Sequence, residues 1–319
     1  MLNNGGMKVG QFIGPFEVGS PLGEGGMAVV FHAWHQRDRT PVAIKVMKPD
    51  ALPDVAMETM FAHEVRSAAR LNHPNVTAVF DHGLLDEAGA GFNRDLVGCP
   101  WLAMEQVSGG NIRTLAGKTD WATARRILLD LLHALAHAHA VGMIHRDIKP
   151  GNILLDSATG QVKLTDFGLA QSLVVMQSLP ARAEFMTGTP SYMAPEQIRG
   201  HRRAQGPWSD IYSVGALGWT LLTGRPPFSG TLEEVLTAHI SGTVKTFLPA
   251  MDAPPEIETW LRRALQADPA HRFFSAADAA WALEQLPSEA ASTGTLRPHD
   301  DASIWAQDTL QLHDPSRTQ

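Results

Sequence analysis

Apolar and polar positions come in short bursts over the first hundred residues and then change to a helical rhythm. Phe16–Leu22, Val29–Trp34 and Val42–Val46 are short runs rich in β-branched and apolar residues, parted by turn formers, and read as strands. Ala56–Leu71 places Met60, Val65, Ala68 and Ala69 on one helix face. Asn72-His73-Pro74-Asn75 stops that helix, because proline disfavours helix in the residue before it. Val76–Phe80 and Trp101–Met104 read as further strands, with the polar, glycine-containing stretch Asp86–Gly98 as a loop between them. After Ser108-Gly109-Gly110 the period lengthens. Thr123–His139 carries Ile127, Leu131, Leu135 and Ala138 at helical spacing, and Asp210–Thr223, Leu232–Ile240, Ile257–Leu265 and Ala276–Leu286 predict more helices. Residues 1–15, polar and glycine-rich, read as a flexible lead-in, and 287–319, polar and unpatterned, as a disordered tail. The expected fold class is α+β with two lobes: a small β-rich lobe over 16–105 and a larger, mainly helical one over 106–286. They join near Glu105–Gly109, with a ligand cleft between them.

Composition narrows the choice of class. The 319 residues are 44% hydrophobic and 18% charged, which suits a globular chain with a large core. A net charge of −7 offers no basic footprint for nucleic acid. Cys99 is the only cysteine, so a disulfide framework is excluded, in keeping with a reducing compartment. The first residues lack the apolar stretch of a signal peptide, and no run approaches the roughly 18 apolar residues of a membrane helix. A soluble, cytoplasmic protein without a membrane span is expected. No internal repeat is visible.

Chemistry concentrates in four places. Gly23-Glu24-Gly25-Gly26-Met27-Ala28-Val29-Val30 lies between two predicted strands, where glycines let main-chain N–H groups approach phosphate oxygens. By itself this is as well read as a glycine-rich hairpin. Val42-Ala43-Ile44-Lys45 ends a strand run on a lysine that can hold phosphates or lie on a solvated edge; Glu64, on the following helix, is a plausible counter-charge. His145-Arg146-Asp147-Ile148-Lys149-Pro150-Gly151-Asn152 precedes the strand Ile153–Leu155, and Asp166-Phe167-Gly168 follows the strand Val162–Leu164. Asp147 can orient a hydroxyl and accept its proton, Lys149 can hold a γ-phosphate, and Asn152 and Asp166 are hard oxygen ligands for Mg²⁺. Each alone is most often a turn former or a solvated charge; the set, packed into so few positions, is not. Gly117-Lys118-Thr119 imitates the end of a P-loop, but that motif needs glycine where Ile112 stands.

Taken together, these residues resemble the eukaryotic-type serine/threonine protein kinase family, in its bacterial branch, from about Phe16 to about Leu286. Ala194-Pro195-Glu196 fits the same order, as do Asp210 in WSDIYSVG and Arg272 in DPAHRF. The resemblance implies a two-lobed protein kinase-like fold and transfer of the ATP γ-phosphoryl group to serine or threonine of proteins, the chain itself included. It implies Asp147, Lys149, Lys45 and Glu64 as catalytic residues, and Asn152 and Asp166 as ligands of Mg²⁺, or of Mn²⁺ in its place. ATP would contact Leu22, Gly23, Glu24, Gly25, Gly26, Met27, Ala28, Val30, Ala43 and Lys45, with Met104 as gatekeeper and Glu105 and Val107 in the hinge. Asp210 would steady the catalytic loop, and Arg272 would pair with Glu196. Lys149 and the segment Gly188–Glu196, in which Thr189 would bond near Asp147 and Lys149, point to serine/threonine rather than tyrosine. One position departs from the pattern: Ala28 replaces the third loop glycine. Alanine disfavours φ > 0, which motivates an alternative reading as a pseudokinase acting as a nucleotide-binding or scaffold module. A small-molecule phosphotransferase would not need the Gly188–Glu196 platform.

Regulation follows from the same resemblance. Arg146 is the position that receives a phosphate from the activation segment Leu169–Met193, which holds Ser172, Ser178, Thr187 and Thr189. Thr187 or Ser178 is expected to be autophosphorylated, the other reading being a segment ordered by packing alone. The tail holds Thr293, Thr295 and Thr309, and Thr309-Leu310-Gln311-Leu312 can dock on a phosphothreonine-reading (FHA-like) partner or be inert. His133 and His137, four apart on a helix, read as helix surface rather than as a metal pair, and His139 as a core residue.

Overall fold

Short β-branched runs with turns between them fold into one antiparallel sheet. In the computed structural model, which describes residues 7–26, 28–49, 65–91, 93–167 and 190–289, the strands are β1 (Phe12–Ile13), β2 (Phe16–Glu24), β3 (Ala28–His35), β4 (Pro41–Met47), β5 (Val79–Leu84) and β6 (Pro100–Glu105). Their order is β1-β2-β3-β4-β6-β5, every neighbouring pair antiparallel. Side chains alternate between the two faces. One face buries Val29, Phe31, Ile44, Val46 and Ala103 against Met7, Ile13, Leu96 and Cys99. Residues from Met7 on, read from sequence as part of a flexible lead-in, therefore belong to this lobe: Met7 and Ile13 are each 1% exposed. Two isolated apolar side chains among glycines carry no periodicity, so the pattern did not show them.

The loop expected over Asp86–Gly98 contains a turn of α-helix, α1 (Glu87–Ala90), capped by Asp86, and a 3-10 turn, Arg94–Leu96, capped by Asn93. The strand expected at Val76–Phe80 is displaced. Val76 instead bridges Leu164 in parallel, and ladder pairing with β6 begins only at Val79. Backbone at 65–68 is helical and 69–70 form a turn, so the helix expected to run to Leu71 ends short of it; its earlier part, Glu64 included, lies outside the described residues.

The second lobe is built on α2 (Trp121–Ala140), followed by the hairpin of β7 (Ile153–Leu155) and β8 (Val162–Leu164), then α3 (Pro195–Ile198), α4 (Pro207–Thr223), α5 (Leu232–Ser241), α6 (Glu256–Ala264) and α7 (Ala276–Glu284). Asp120, Thr231 and Ser275 cap α2, α5 and α7 by accepting a main-chain N–H three residues on. Helix α4 is buried from Ser209 to Thr223, as a helix apolar on all sides should be. Its glycines let α6 approach: a Cβ on Gly215 would lie 2.7 Å from Ala264 Cβ. Core packing thus makes α4 the fixed post of the lobe, and the site described next hangs from it.

Candidate active site

Strand register delivers the first site residues. Val30 stands opposite Lys45, and Ala43 opposite Met104. Directly opposed residues of an antiparallel pair share a face. Lys45, two residues from Ala43, therefore joins Val30 and Met104 on the side of the sheet away from Ile44 and Phe31. There Ala28, Ala43, Leu102 and Met104 form an apolar cluster on which Leu22 and Val30 pack. The structure thus brings together Leu22, Val30, Ala43 and Met104, the residues expected at a base-binding surface. In the glycine-rich hairpin between β2 and β3, Gly25 N–H donates to Ala28 O at 2.8 Å and Lys48 Nζ meets Glu24 Oε1 at 2.8 Å. Met27 lies outside the described residues. Ala28 is an ordinary strand residue paired with Met47; left-handed backbone outside glycine is confined, among the described residues, to Arg39, Arg146 and Asp166. Ala28 thus has no need of glycine's freedom, and the ground for the pseudokinase alternative falls away. Glu105 spends its N–H on Ala78 O at 2.8 Å and its carboxylate on Lys163 Nζ at 2.7 Å.

The opposing loop follows α2. His145 is fully buried and acts as a clip: its Nδ1 accepts Asp147 N–H at 3.2 Å, which places the ring proton on Nε2 for donation to Thr165 O at 2.9 Å. Asp147 is thereby tied to the residue before Asp166. Asn152 Nδ2 donates to Asp147 O at 2.8 Å and to Asp147 Oδ2 at 2.9 Å. With its amide nitrogen turned to Asp147, Asn152 has a carbonyl oxygen to offer a hard cation. Lys149 Nζ lies 3.0 Å from Asp147 Oδ2. Across the cleft Lys45 Nζ reaches Asp166 Oδ1 at 2.8 Å. Burial pushes the Asp166 carboxyl up, but the adjoining Lys45 ammonium, helped by Lys149, overrides it and holds the group below the usual carboxylate range. An anionic carboxylate and an amide oxygen are the donor set that a small divalent cation takes, so the residues fit Mg²⁺.

Helix α4 holds this loop in shape. Asp210, at its N-terminal end and wholly buried, accepts His145 N–H at 2.8 Å and His139 Nε2–H at 2.9 Å on Oδ2, and Arg146 N–H at 2.7 Å on Oδ1. Burial would raise its carboxyl; the bond from His139 and those from the loop keep it below its ordinary value. From α3, Gln197 Nε2 donates to Arg146 O at 2.8 Å. Glu196 forms a two-pronged pair with Arg272 at 2.8 and 2.9 Å, and accepts Ser209 Oγ–H at 2.7 Å. Burial opposes this carboxylate too, and Arg272 keeps it ionised.

A model of the protein kinase domain matches residues 16–281. The chain belongs to the protein kinase family. Among its curated relatives, a probable serine/threonine-protein kinase of Corynebacterium efficiens is 34% identical over 95% of this chain and 46% of its own length. Another, of Streptomyces coelicolor, is 36% identical over 82% of this chain and 38% of its own. Serine/threonine-protein kinase PknA of Mycobacterium tuberculosis is 36% identical over 80% of this chain and 57% of its own. This kinase domain thus spans about half the length of the relatives it matches, or less.

In the kinase domain three further residues serve the site. His139 was expected to pack in the core; it also shares Asp210 with the loop that begins at His145. Gln197 and Lys163 carried no signal, since a lone polar side chain on a helix or strand has no local signature. Gly188, Thr189, Thr187, Ser172 and Ser178 lie outside the described residues, as do the tail threonines. His137 stacks on His73 with ring centroids 5.5 Å apart, and His133 faces Glu284 at 3.5 Å. Among the described residues no group of three or more histidine, cysteine, aspartate or glutamate side chains could hold a metal, and no helix is long and apolar enough to cross a membrane.

Proposed function

We propose that this kinase domain transfers the γ-phosphoryl group of ATP to serine and threonine hydroxyls of proteins, its own among them. The observation that carries the reading is the convergence of two charge sets. Lys45 from the sheet meets Asp166 at 2.8 Å, while Asp147, Lys149 and Asn152 meet within 3.0 Å on the facing loop. In this reading Leu22, Val30, Ala43 and Met104 enclose the base. With its N–H and carboxylate engaged, Glu105 offers the base its carbonyl, and Val107 its main chain. The hairpin Gly23–Gly26 covers the phosphates and Lys45 holds them, with Glu64 as its partner when Asp166 turns to metal. Asn152 and Asp166 hold Mg²⁺, or Mn²⁺ in its place, which when bound neutralises charge on the phosphate oxygens. Asp147 orients the acceptor hydroxyl and takes its proton, and Lys149 follows the phosphoryl group as charge shifts. Transfer is expected in the cytoplasm. Thr309 is the residue through which an FHA-like partner would dock, a claim that binding unchanged in Thr309→Ala would remove.

The test is phosphate transfer by the purified chain from labelled ATP and Mg²⁺ to itself and to a generic protein. Asp147→Asn and Lys45→Met should each lower the rate by at least about a hundredfold. Nucleotide binding without any transfer by the unaltered chain would overturn the reading.

A further inference from the structure

The segment that would face the purine is gripped from both lobes. From the helical lobe comes Lys163. Val162 and Leu164 on either side of it are buried, so strand alternation turns Lys163 to the other face of β8. There its Nζ reaches both oxygens of Glu105, at 2.7 Å from Oε1 and 2.9 Å from Oε2. The two side chains are 15% and 29% exposed, so solvent screens this pair less than one on an open surface. The strand beneath it is itself fixed: Leu164 N–H donates to Asn75 O at 2.8 Å and Thr77 N–H to Leu164 O at 3.0 Å. One residue further on, Ala78 N–H donates to Glu105 Oε2 at 3.2 Å, and Glu105 returns its own N–H to Ala78 O.

From the sheet comes His32. It stands opposite Ala43, which stands opposite Met104, so it shares the face that carries Val30 and Lys45. Its Nδ1–H donates to Gln106 Oε1. The ring is held in turn: it meets Trp34 edge-on with centroids 4.0 Å apart, and Trp34 covers Gly19, where a Cβ would lie 2.8 Å from the indole. Two neighbouring side chains, Glu105 and Gln106, are thus tied to opposite lobes. The peptide unit between them carries the Glu105 carbonyl, the group offered to the base in the function proposed above.

A carbonyl oxygen can only accept a hydrogen bond. It suits the amino group of adenine and opposes the oxo group of a 6-oxopurine. That choice lasts only while the carbonyl cannot withdraw. If the hinge recedes far enough to admit a water, the water accepts from an amino group or donates to an oxo group equally well, and the difference is lost. Choice of base therefore depends on how firmly this peptide unit is held.

We propose that Lys163 and His32 are positioning residues. Acting through Glu105 and Gln106, they hold the hinge carbonyl in place and so make the nucleotide site select an aminopurine over an oxopurine. This rests on the kinase reading given above, in which Glu105 meets the base.

The test is calorimetric binding of ADP and of inosine diphosphate to the whole chain without metal, so that no turnover is needed. The two nucleotides differ at one place, amino against oxo on the purine. The measured quantity is the ratio of their Kd values. A variant that is merely less stable weakens both alike and leaves the ratio untouched. The unaltered chain should favour ADP about tenfold. Lys163→Met and His32→Ala should each bring the preference below about threefold. Lys163→Arg should keep it, since a guanidinium also grips both carboxylate oxygens. Should Lys163→Met fail to fold, Glu105→Gln takes its place, because it discharges the pair and keeps an oxygen for Ala78 N–H. A ratio that falls in one lobe's variant alone would support the proposal and narrow it to that residue. A ratio unchanged in both, or equal binding of the two nucleotides by the unaltered chain, would overturn it while leaving the kinase reading intact. Binding of neither nucleotide by the unaltered chain would overturn both.

Discussion

Arg146 and Asp166 hold left-handed backbone, with φ of 66° and 65°, a conformation that costs such residues on the order of 1–3 kcal/mol each. At Arg146 both sides of the strained unit are pinned, the N–H by Asp210 and the carbonyl by Gln197. At Asp166 the preceding Thr165 donates its N–H to Asn152 O at 3.0 Å and accepts His145 Nε2–H on its carbonyl. Asp210→Ala would strip the acceptor from two main-chain N–H groups and from His139. A buried donor left unpaired costs about 1–3 kcal/mol. Urea unfolding should therefore show a loss of about 3–5 kcal/mol, with transfer lost even where the variant stays folded; an unchanged midpoint would refute the pinning role. Gly109 is constrained by space rather than by φ. A Cβ there would sit 2.2 Å from Leu155 O. The segment 109–111 is fastened to β7, Gly109 N–H donating to Leu155 O and Leu155 N–H to Gly110 O, both at 2.8 Å. Gly109→Ala must push it off, at a cost of about 1–3 kcal/mol for overpacking. KM for ATP should rise several-fold, because that segment follows directly on the proposed hinge, and an unaltered KM would show that the hinge does not feel it.

Helices α4 and α5 meet the segment Pro190–Tyr192 through a buried histidine. Tyr212 Oη and His239 Nδ1 are 2.7 Å apart, and the His239 ring lies edge-on to Phe228. Burial pushes His239 down to about 4, against a smaller upward pull from the Pro190 carbonyl. In the unfolded chain the group titrates near 6.5. Between those values the unfolded chain takes up a proton that the folded one refuses. The stability tied to His239 is therefore whole above pH 6.5 and is lost as pH falls toward 4. From pH 7 to pH 5 the unaltered protein should lose about 2 kcal/mol more than His239→Gln does. Equal losses would mean that protons reach the ring in the folded state. Nothing local marked this histidine, since its burial is made by three separate segments. The helices around it were legible, because a period near 3.6 survives whatever the partner. Strand β5 was misplaced for the opposite reason: the pairing of Val76 with Leu164 is a long-range choice that alternation cannot announce.

In the function proposed above, one nucleotide bridges the two lobes. Bound at a hundred times its dissociation constant, Mg²⁺-ATP should stabilise the chain by about 2.7 kcal/mol. Lys45→Met should lose much of that rise in Tm, because the charge of Lys45 on the phosphates is then gone and the sheet keeps only its apolar contacts with the base; an equal rise in both proteins would mean that Lys45 makes no such bridge. The charged centre was readable because Lys45, Asp147, Asn152 and Asp166 sit in compact motifs whose spacing is the chemistry. Asp210 and Arg272 were readable from their flanking residues. His139, Gln197 and Lys163 were not, because each reaches the site through a contact that only the packed helices and strands create.

The two pins on Arg146 come from residues 64 and 51 positions further along the chain. A growing polypeptide therefore acquires its charged site groups well before it can shape them. Lys45, Asp147, Asn152 and Asp166 all precede α4, yet the loop that carries Asp147 and Asn152 lacks both pins on Arg146 until α4 and α3 have docked. The expected outcome is that competence waits for α3 and α4 to dock. A polypeptide ending before Pro207 should carry every charged group of the centre and transfer no phosphate.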